Sequence, residues 1–288
     1  MRHALAQKPQ SRWANKPGPN AVVEFIPAPT QGWDTETPIA ELPQTRAREM
    51  DNWVVRGTTI VIRQGYSDHV TGISDPVETL MPYSSGTAQK LFAAANDSIY
   101  DVSSPGSVGA AVVGSLTNAR FSHVNFTTSG GSFLWICNGA DNPYHYNGSA
   151  WANPSLTVTT FTDNDIKYVF AFKERLYFIF KDSLTFGYLP VQSIAGTVSN
   201  FPLGAVFNYG GELIAGGTLS RDGGAGMDDF AVFLTSEGEI AVYQGYNPND
   251  ANEWALVGVY YVGDPVGDRP IVEIGNDLAV ITRRGVMS

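Results

Sequence analysis

Few side chains in this sequence have types and spacings suited to chemistry, and they are scattered. The histidines, His3, His69, His123 and His145, stand far apart, and no H-E-x-x-H pair is present to seat zinc. His145 lies between Tyr144 and Tyr146 on an expected strand, where a core or hydrogen-bonded imidazole is the simpler reading than a ligand. Asp163-Asn164-Asp165 suggests calcium, because Glu174 falls at the twelfth position of a loop starting at Asp163. Lys167 at the fifth position and Tyr168 at the sixth, where glycine is required, defeat that reading and leave a turn. Asp228 and Asp229, after DGGAGM, have the composition of an acid/base pair or a metal clamp. Adjacent carboxylates on a strand point to opposite faces, so a solvated turn before a buried strand fits them better. Cys137, the single cysteine, sits in the apolar run LWICNG as inert core and permits no intrachain disulfide. There is no G-x-x-x-x-G-K-[ST] loop for phosphate and no G-x-S-x-G elbow for a serine nucleophile. No catalytic, cofactor-binding or metal-ligating residue is assigned, and no enzymatic activity is expected.

The elements that would position these residues are hairpins. Five segments share one pattern, an apolar run broken by a polar turn: 89–102, 132–146, 175–189, 229–244 and 277–288. Their turn residues, Asp97, Asp141, Asp182, Gly238 and Arg284, are spaced by 44, 41, 56 and 46 residues. A quasi-period of that size is the blade repeat of β-propellers. The 56-residue interval carries the stretch 187–226 with ten glycines, read as an extended connection. Leu176–Phe180 (LYFIF) and Phe230–Leu234 (FAVFL) are apolar at every position, as in strands whose sheet is covered on both faces. A two-sheet sandwich would leave one face wet and show alternation. The sequence therefore predicts an all-β chain, a β-propeller-like repeat of blades of roughly 40–56 residues, with a long β-sandwich as the alternative.

Composition fits this. Of 288 residues, 16% are charged and 12% aromatic, too apolar for a disordered chain. The net charge of −10 argues against a surface that grips phosphate. No run approaches the ~18 apolar residues of a membrane span, and the first twenty residues lack the apolar core of a secretory signal. Seven of the seventeen prolines fall within the first 43 positions, which excludes a long helix or central strand there. Residues 1–43 read as an extended arm, with Arg2, Lys8, Arg12 and Lys16 and no acid in its first twenty positions. The arm keeps Trp13, Phe25 and Trp33; these rings either pack back on the same chain or dock on a neighbouring subunit. Residues 44–56 read as a short helix (44–52, QTRAREMDN) and linker, with Pro43 at its start. Residues 57–288 form the propeller body, whose last hairpin breaks off in its return strand and is expected to be incomplete.

The stretch TRAREMDNWVVRGTTIVIRQGY (45–66) resembles the opening of tail hub or nozzle proteins of short-tailed bacteriophages. There a short Ala-containing helix precedes an Asn, an early strand and an Arg-x-Gly turn, here Ala47, Asn52, Ile60–Ile62 and Arg63–Gly65. The run from FKERLYFIFKDSLTFGYLP to GGAGMDDFAVFLTSEGEIAVYQG (172–245) is similar to virion proteins of the same kind, and the likeness extends from about residue 24 onward. Members of that family are generally longer than this chain. The resemblance implies a structural virion protein, a β-propeller subunit of a hexameric ring below the head-to-tail adaptor. Its partners would be copies of itself, the adaptor, tail fibres or spikes, and double-stranded DNA in transit without specific binding, with no cofactor. Its places would be the phage tail and, during assembly, the host cytoplasm. A DNA conduit should not bind tightly, and 6 Lys and 12 Arg in an acidic body meet that requirement. Asp228, Asp229, Glu237 and Glu239, with Asp250, Glu253, Asp264 and Asp268, are candidates for the channel wall; solubilising the outer surface is the alternative. Six Trp and 13 Tyr support a second class, a carbohydrate-binding or carbohydrate-cleaving propeller, although no paired-carboxylate motif accompanies them.

Overall fold

The computed structural model describes residues 26–222, 227–275 and 277–288, without the side chains at 221, 222, 227 and 228. The chain divides into two compact units, residues 1–67 and 68–288.

In the first unit, residues 26–52 run through turns and one isolated parallel bridge, Trp33 to Ala47. A hairpin follows, β1 (Trp53–Arg56) and β2 (Thr59–Ile62), closed by Gly57 at φ +60°. The helix expected over 44–52 does not form. Its peptide groups are engaged elsewhere: the Gln31 amide donates to the Thr45 carbonyl, Asp34 to Ala47, and Ala47 donates back to Gly32. A helix would claim those carbonyls for its own i→i−4 bonds, so pairing with residues 31–34 wins. The unit boundary after Ser67 also places the hairpin 53–62 in the first unit, outside the body expected from residue 57.

The second unit opens with β3 (Val70–Thr71) and blade 1, made of β4 (Val77–Ser84), β5 (Gln89–Ala95) and β6 (Ser98–Asp101). β7 (Gly106–Ser107) returns to pair in parallel with β3. Blade 2 comprises β8 (Ser122–Thr128), β9 (Gly131–Cys137), β10 (Tyr144–Tyr146) and β11 (Trp151–Ala152). After β12 (Leu156–Thr157) and a 3-10 turn at Asp163–Asp165 come β13 (Ile166–Phe172), β14 (Arg175–Phe180) and β15 (Thr185–Tyr188) of blade 3. β16 (Gly196–Thr197) pairs in parallel with β12, and β17 (Ser199–Pro202) completes blade 3. Blade 4 is β18 (Leu213–Asp222), β19 (Met227–Thr235), β20 (Glu239–Gly245) and β21 (Trp254–Tyr261). Blade 5 is β22 (Ile271–Ile274), β23 (Asp277–Thr282) and β24 (Gly285–Met287).

Each blade is an antiparallel meander, so the second unit is a five-bladed β-propeller arrangement, not a sandwich. All five expected hairpins are present with their turns in place. Blade 3 shows why its strands are apolar throughout. Phe170, Tyr177 and Ile179 pack on blade 4, while Val169, Leu176 and Phe178 pack on blade 2. The stretch 187–226 is not an extended connection: it contains β16, β17 and all of β18. Two of its glycines serve close packing between blades. A Cβ on Gly216 would stand 2.4 Å from the Phe170 ring, and one on Gly217 2.6 Å from Leu278, so blades 3 and 5 both approach β18 at backbone distance.

Candidate functional site

The starts of the inner strands converge on a funnel of about 570 Å³ in the second unit. Asn118, Arg120 and Ser122 come from the approach to β8, Asn138 and Gly139 from the end of β9, and Lys167 from β13. Lys181 and Asp182 contribute from the β14–β15 turn, Glu212 and Ile214 from the start of β18, and residues 266–269 from the approach to β22. The lining holds four cations (Arg120, Lys167, Lys181, Arg269) against three carboxylates (Asp182, Glu212, Asp268), so it is not acidic although the chain is.

Most of these groups are committed to links between blades. Lys167 Nζ lies 2.5 Å from Glu212 Oε2, and that same oxygen accepts the Asp182 amide at 2.9 Å, tying blade 3 to blade 4. Arg120 Nε approaches Glu78 Oε1 at 3.6 Å, between blades 2 and 1. Gly139 donates its amide to the Ile166 carbonyl, between blades 2 and 3. It sits at φ +70°, and a Cβ there would meet Lys167 Cβ at 2.8 Å. Arg269 reaches from blade 5 back to blade 1, donating to Thr79 Oγ1 (3.1 Å), the Glu78 carbonyl (3.4 Å) and the Phe121 carbonyl (3.4 Å). Thr79 is buried and already donates to the Ala119 carbonyl while accepting the Phe121 amide. Burial, and then the Arg269 guanidinium, hold the His123 imidazole below its ordinary pKa, so it is kept neutral beside this junction. Lys181 pairs with Asp165 at 3.1 Å, and the Asp165 carboxylate is held down first by the Thr162 amide and then by that lysine. The arrangement fastens blades together; among the described residues no group of three or more His, Cys, Asp or Glu is placed to hold a metal ion.

The acids singled out from the sequence do not gather at one place. Asp229 opens β19 at the far end of blade 4 from the funnel, and its carboxylate is paired with Lys173 at 2.5 Å and bonded by Ser220. Lys173, then Ser220, hold it below its usual range. Glu237 and Glu239 lie at the opposite end of β19. Glu237 is exposed in the turn, where Ser236 Oγ donates to it. Glu239 is corrected as a channel-wall residue: at 2% exposure it is buried, accepting the amides of Asn208 and Tyr209 and the Asn208 side chain. A carboxylate used to fasten a turn presents no charge to a bore. Asp268 lines the funnel, whereas Asp264 accepts the Tyr261 hydroxyl and Asp250 and Glu253 stand in the turn before β21. The Asp228 side chain, Trp13 and Phe25 lie outside the described residues. Trp33 is 69% exposed, with its indole N–H bonded to the Arg48 carbonyl. Cys137 is buried, and burial pushes its thiol up. Sequence reasoning missed Arg269 and Thr79 because nothing local marks two residues brought together only by the return of the blades.

No protein-family model matches the chain, and no curated protein matches it. Among solved structures it is similar to BBS1N in two crystals of its complex with ARL6DN. In the mercury-soaked crystal the identity is 15%, covering 81% of this chain and 72% of that one, at a TM-score of 0.47. In the lead-soaked crystal the identity is 12%, covering 81% and 68%, at 0.48. No helix among the described residues is long and apolar enough to cross a membrane.

Proposed function

We propose that this chain is a structural virion protein, a subunit of the tail hub or nozzle ring of a short-tailed bacteriophage. In that role it sits below the head-to-tail adaptor, retains packaged DNA and forms the conduit for genome ejection. It works without a cofactor and performs no reaction. Its partners are copies of itself in a ring of six, the adaptor, tail fibres or spikes, and DNA that passes without being read.

One observation carries the assembly part of this reading. The described part of the first unit leaves Ile26, Trp33, Ile39, Ile62 and Tyr66 exposed, Tyr66 at 86%. So many large apolar side chains on a segment of this size are stabilised by a partner surface. The phage context comes from the resemblance of residues 45–66 and 172–245. The funnel suits a scaffold, since its charges are spent on joining blades. A carbohydrate-active propeller would want rings to stack on sugars, and no Phe, Tyr or Trp lines the funnel.

The test is location. Antibodies raised against the second unit, used for immunogold labelling of phage particles that encode this chain, should mark the tail next to the head. Particles that lack the chain altogether, or label only after disruption of the capsid, contradict the proposal.

A further inference from the structure

Blade 4 ends on an outer strand unlike those of the blades before it. The outer edges of blades 1 to 3 are blunted: Val113 bridges to Ile99 on β6, β11 has two residues, and β17 ends in Pro202. β21 runs for eight residues, Trp254–Tyr261 (WALVGVYY), without a charge or a proline. It closes the order β18-β19-β20-β21, and among the described residues no further strand pairs with it. The Val262 amide donates inward to the Gly238 carbonyl. By the alternation of an antiparallel ladder, Tyr260 and Gly258 also turn their backbone groups toward β20. Val259 and Tyr261 therefore turn their N–H and C=O outward, beyond the bulge at Val257.

The side chains beside that edge are apolar and open. Leu256, Val257, Tyr260 and Tyr261 are all exposed, Tyr260 at 56%, and the Tyr209 ring meets Tyr261 edge-on at 5.8 Å. A row of unpaired peptide groups next to such side chains is a template for another strand. The charge around it has one sign. No Lys or Arg occurs between Arg221 and Arg269. Asp250 and Glu253 precede the strand and Asp264 follows it, and none of the three takes part in an ion pair among the described residues.

We infer that the outer edge of β21 takes up an extended segment of a partner protein as a fifth strand of blade 4. The segment pairs through its backbone along Val259–Tyr261 and is uncharged where it pairs. Lys or Arg at its two ends meet Asp250, Glu253 and Asp264. The β21 edge of a second copy fits worse, because an antiparallel pair would bring Asp264 of each copy toward Asp250 and Glu253 of the other. The inference is independent of the virion reading, and its seat lies wholly within blade 4.

Amide hydrogen exchange of the full chain, with synthetic peptides added in excess, tests it. The probe alternates Val and Thr and carries paired lysines at each end. One control has glutamates in place of the lysines, and another has a proline at its centre. With the lysine-ended peptide, exchange at the Val259 and Tyr261 amides should slow by about tenfold or more, and its affinity should exceed that of either control by a similar factor. Tyr261→Pro removes an outward N–H without breaking a bond to β20, so the variant should fold and lose the peptide. Charge reversal at the two ends, Asp250→Lys with Asp264→Lys, should instead favour the glutamate-ended peptide. Equal affinity for the three peptides, no protection at Val259 and Tyr261, or an unchanged preference in the reversed variant overturns the inference. So does protection of both amides without peptide, whether it grows with concentration, as pairing between copies would, or does not, as cover by the same chain would.

Discussion

Phe233 is wholly buried, and its ring stacks on Phe186 at a centroid distance of 4.4 Å between blades 3 and 4. Phe233→Ala removes that ring from a site with no room to collapse and should cost about 3–5 kcal/mol in denaturant unfolding. Tyr177, in the same core, offers the opposite case. Its hydroxyl is buried with no hydrogen-bond partner in the protein, and burial pushes its pKa far up. Tyr177→Phe deletes the orphaned hydroxyl and keeps the ring, so stability should hold or rise by about 1 kcal/mol in the same measurement. A clear loss would show that the hydroxyl has a partner. Asp34 governs the first unit. The Thr37 amide, then Arg46 at 2.6 Å and the Thr37 hydroxyl hold its carboxyl well below the usual range. A depressed carboxyl contributes stability above its unfolded pKa of about 3.9 and loses it as pH falls toward the folded value. The protection factor of the Thr37 amide, taken against its intrinsic exchange rate at each pH, should therefore fall below about pH 4, and Asp34→Asn should lower it already at neutral pH. Apolar identity at Phe233 was legible in the sequence. The Asp34–Arg46 pair was not, because nothing in a linear reading says which carboxylate a distant turn will fold onto.

At the scale of elements, the hairpins were legible because each turn puts polar residues or glycine between two apolar runs, as at Asn96–Asp97 and Glu237–Gly238. Continuous apolarity in Leu176–Phe180 correctly marked a strand covered on both sides. Two elements were misread for reasons that are not local. Residues 44–52 have the composition of a helix but give their carbonyls and amides to residues 31–34. Gly216 and Gly217 look like loop glycines but sit in β18 where neighbouring blades leave no room for a Cβ. Gly216→Ala should accordingly cost far more than the ~1 kcal/mol of ordinary glycine replacements in a strand, because Phe170 must move. The junction around Arg269 supplies a pH prediction. The neutral His123 beside it has a lowered pKa, so the unfolded chain binds more protons than the folded one as pH drops. Its contribution is full above its unfolded pKa of about 6.5 and declines below it. Unfolding titrations of His123→Gln should lose the corresponding acid-side slope below about pH 6.5; an unchanged slope would mean that other groups set it.

For the whole molecule, the propeller could be read from the spacing of the turns, but the positions of its charges could not. Of the acids expected to face a channel, Glu239 is buried and Asp229 is paired with Lys173. Glu237 remains exposed, so Glu237→Lys alone changes surface charge, whereas Glu239→Lys should unfold the turn at Asn208–Tyr209. The exposed Ile26, Trp33, Ile39, Ile62 and Tyr66 of the first unit are the feature that the proposed assembly would cover. Electron microscopy of the purified protein measures this most directly. The proposed tail-ring role predicts closed rings of several copies around a central hole. Single, separate propellers at every concentration would contradict it.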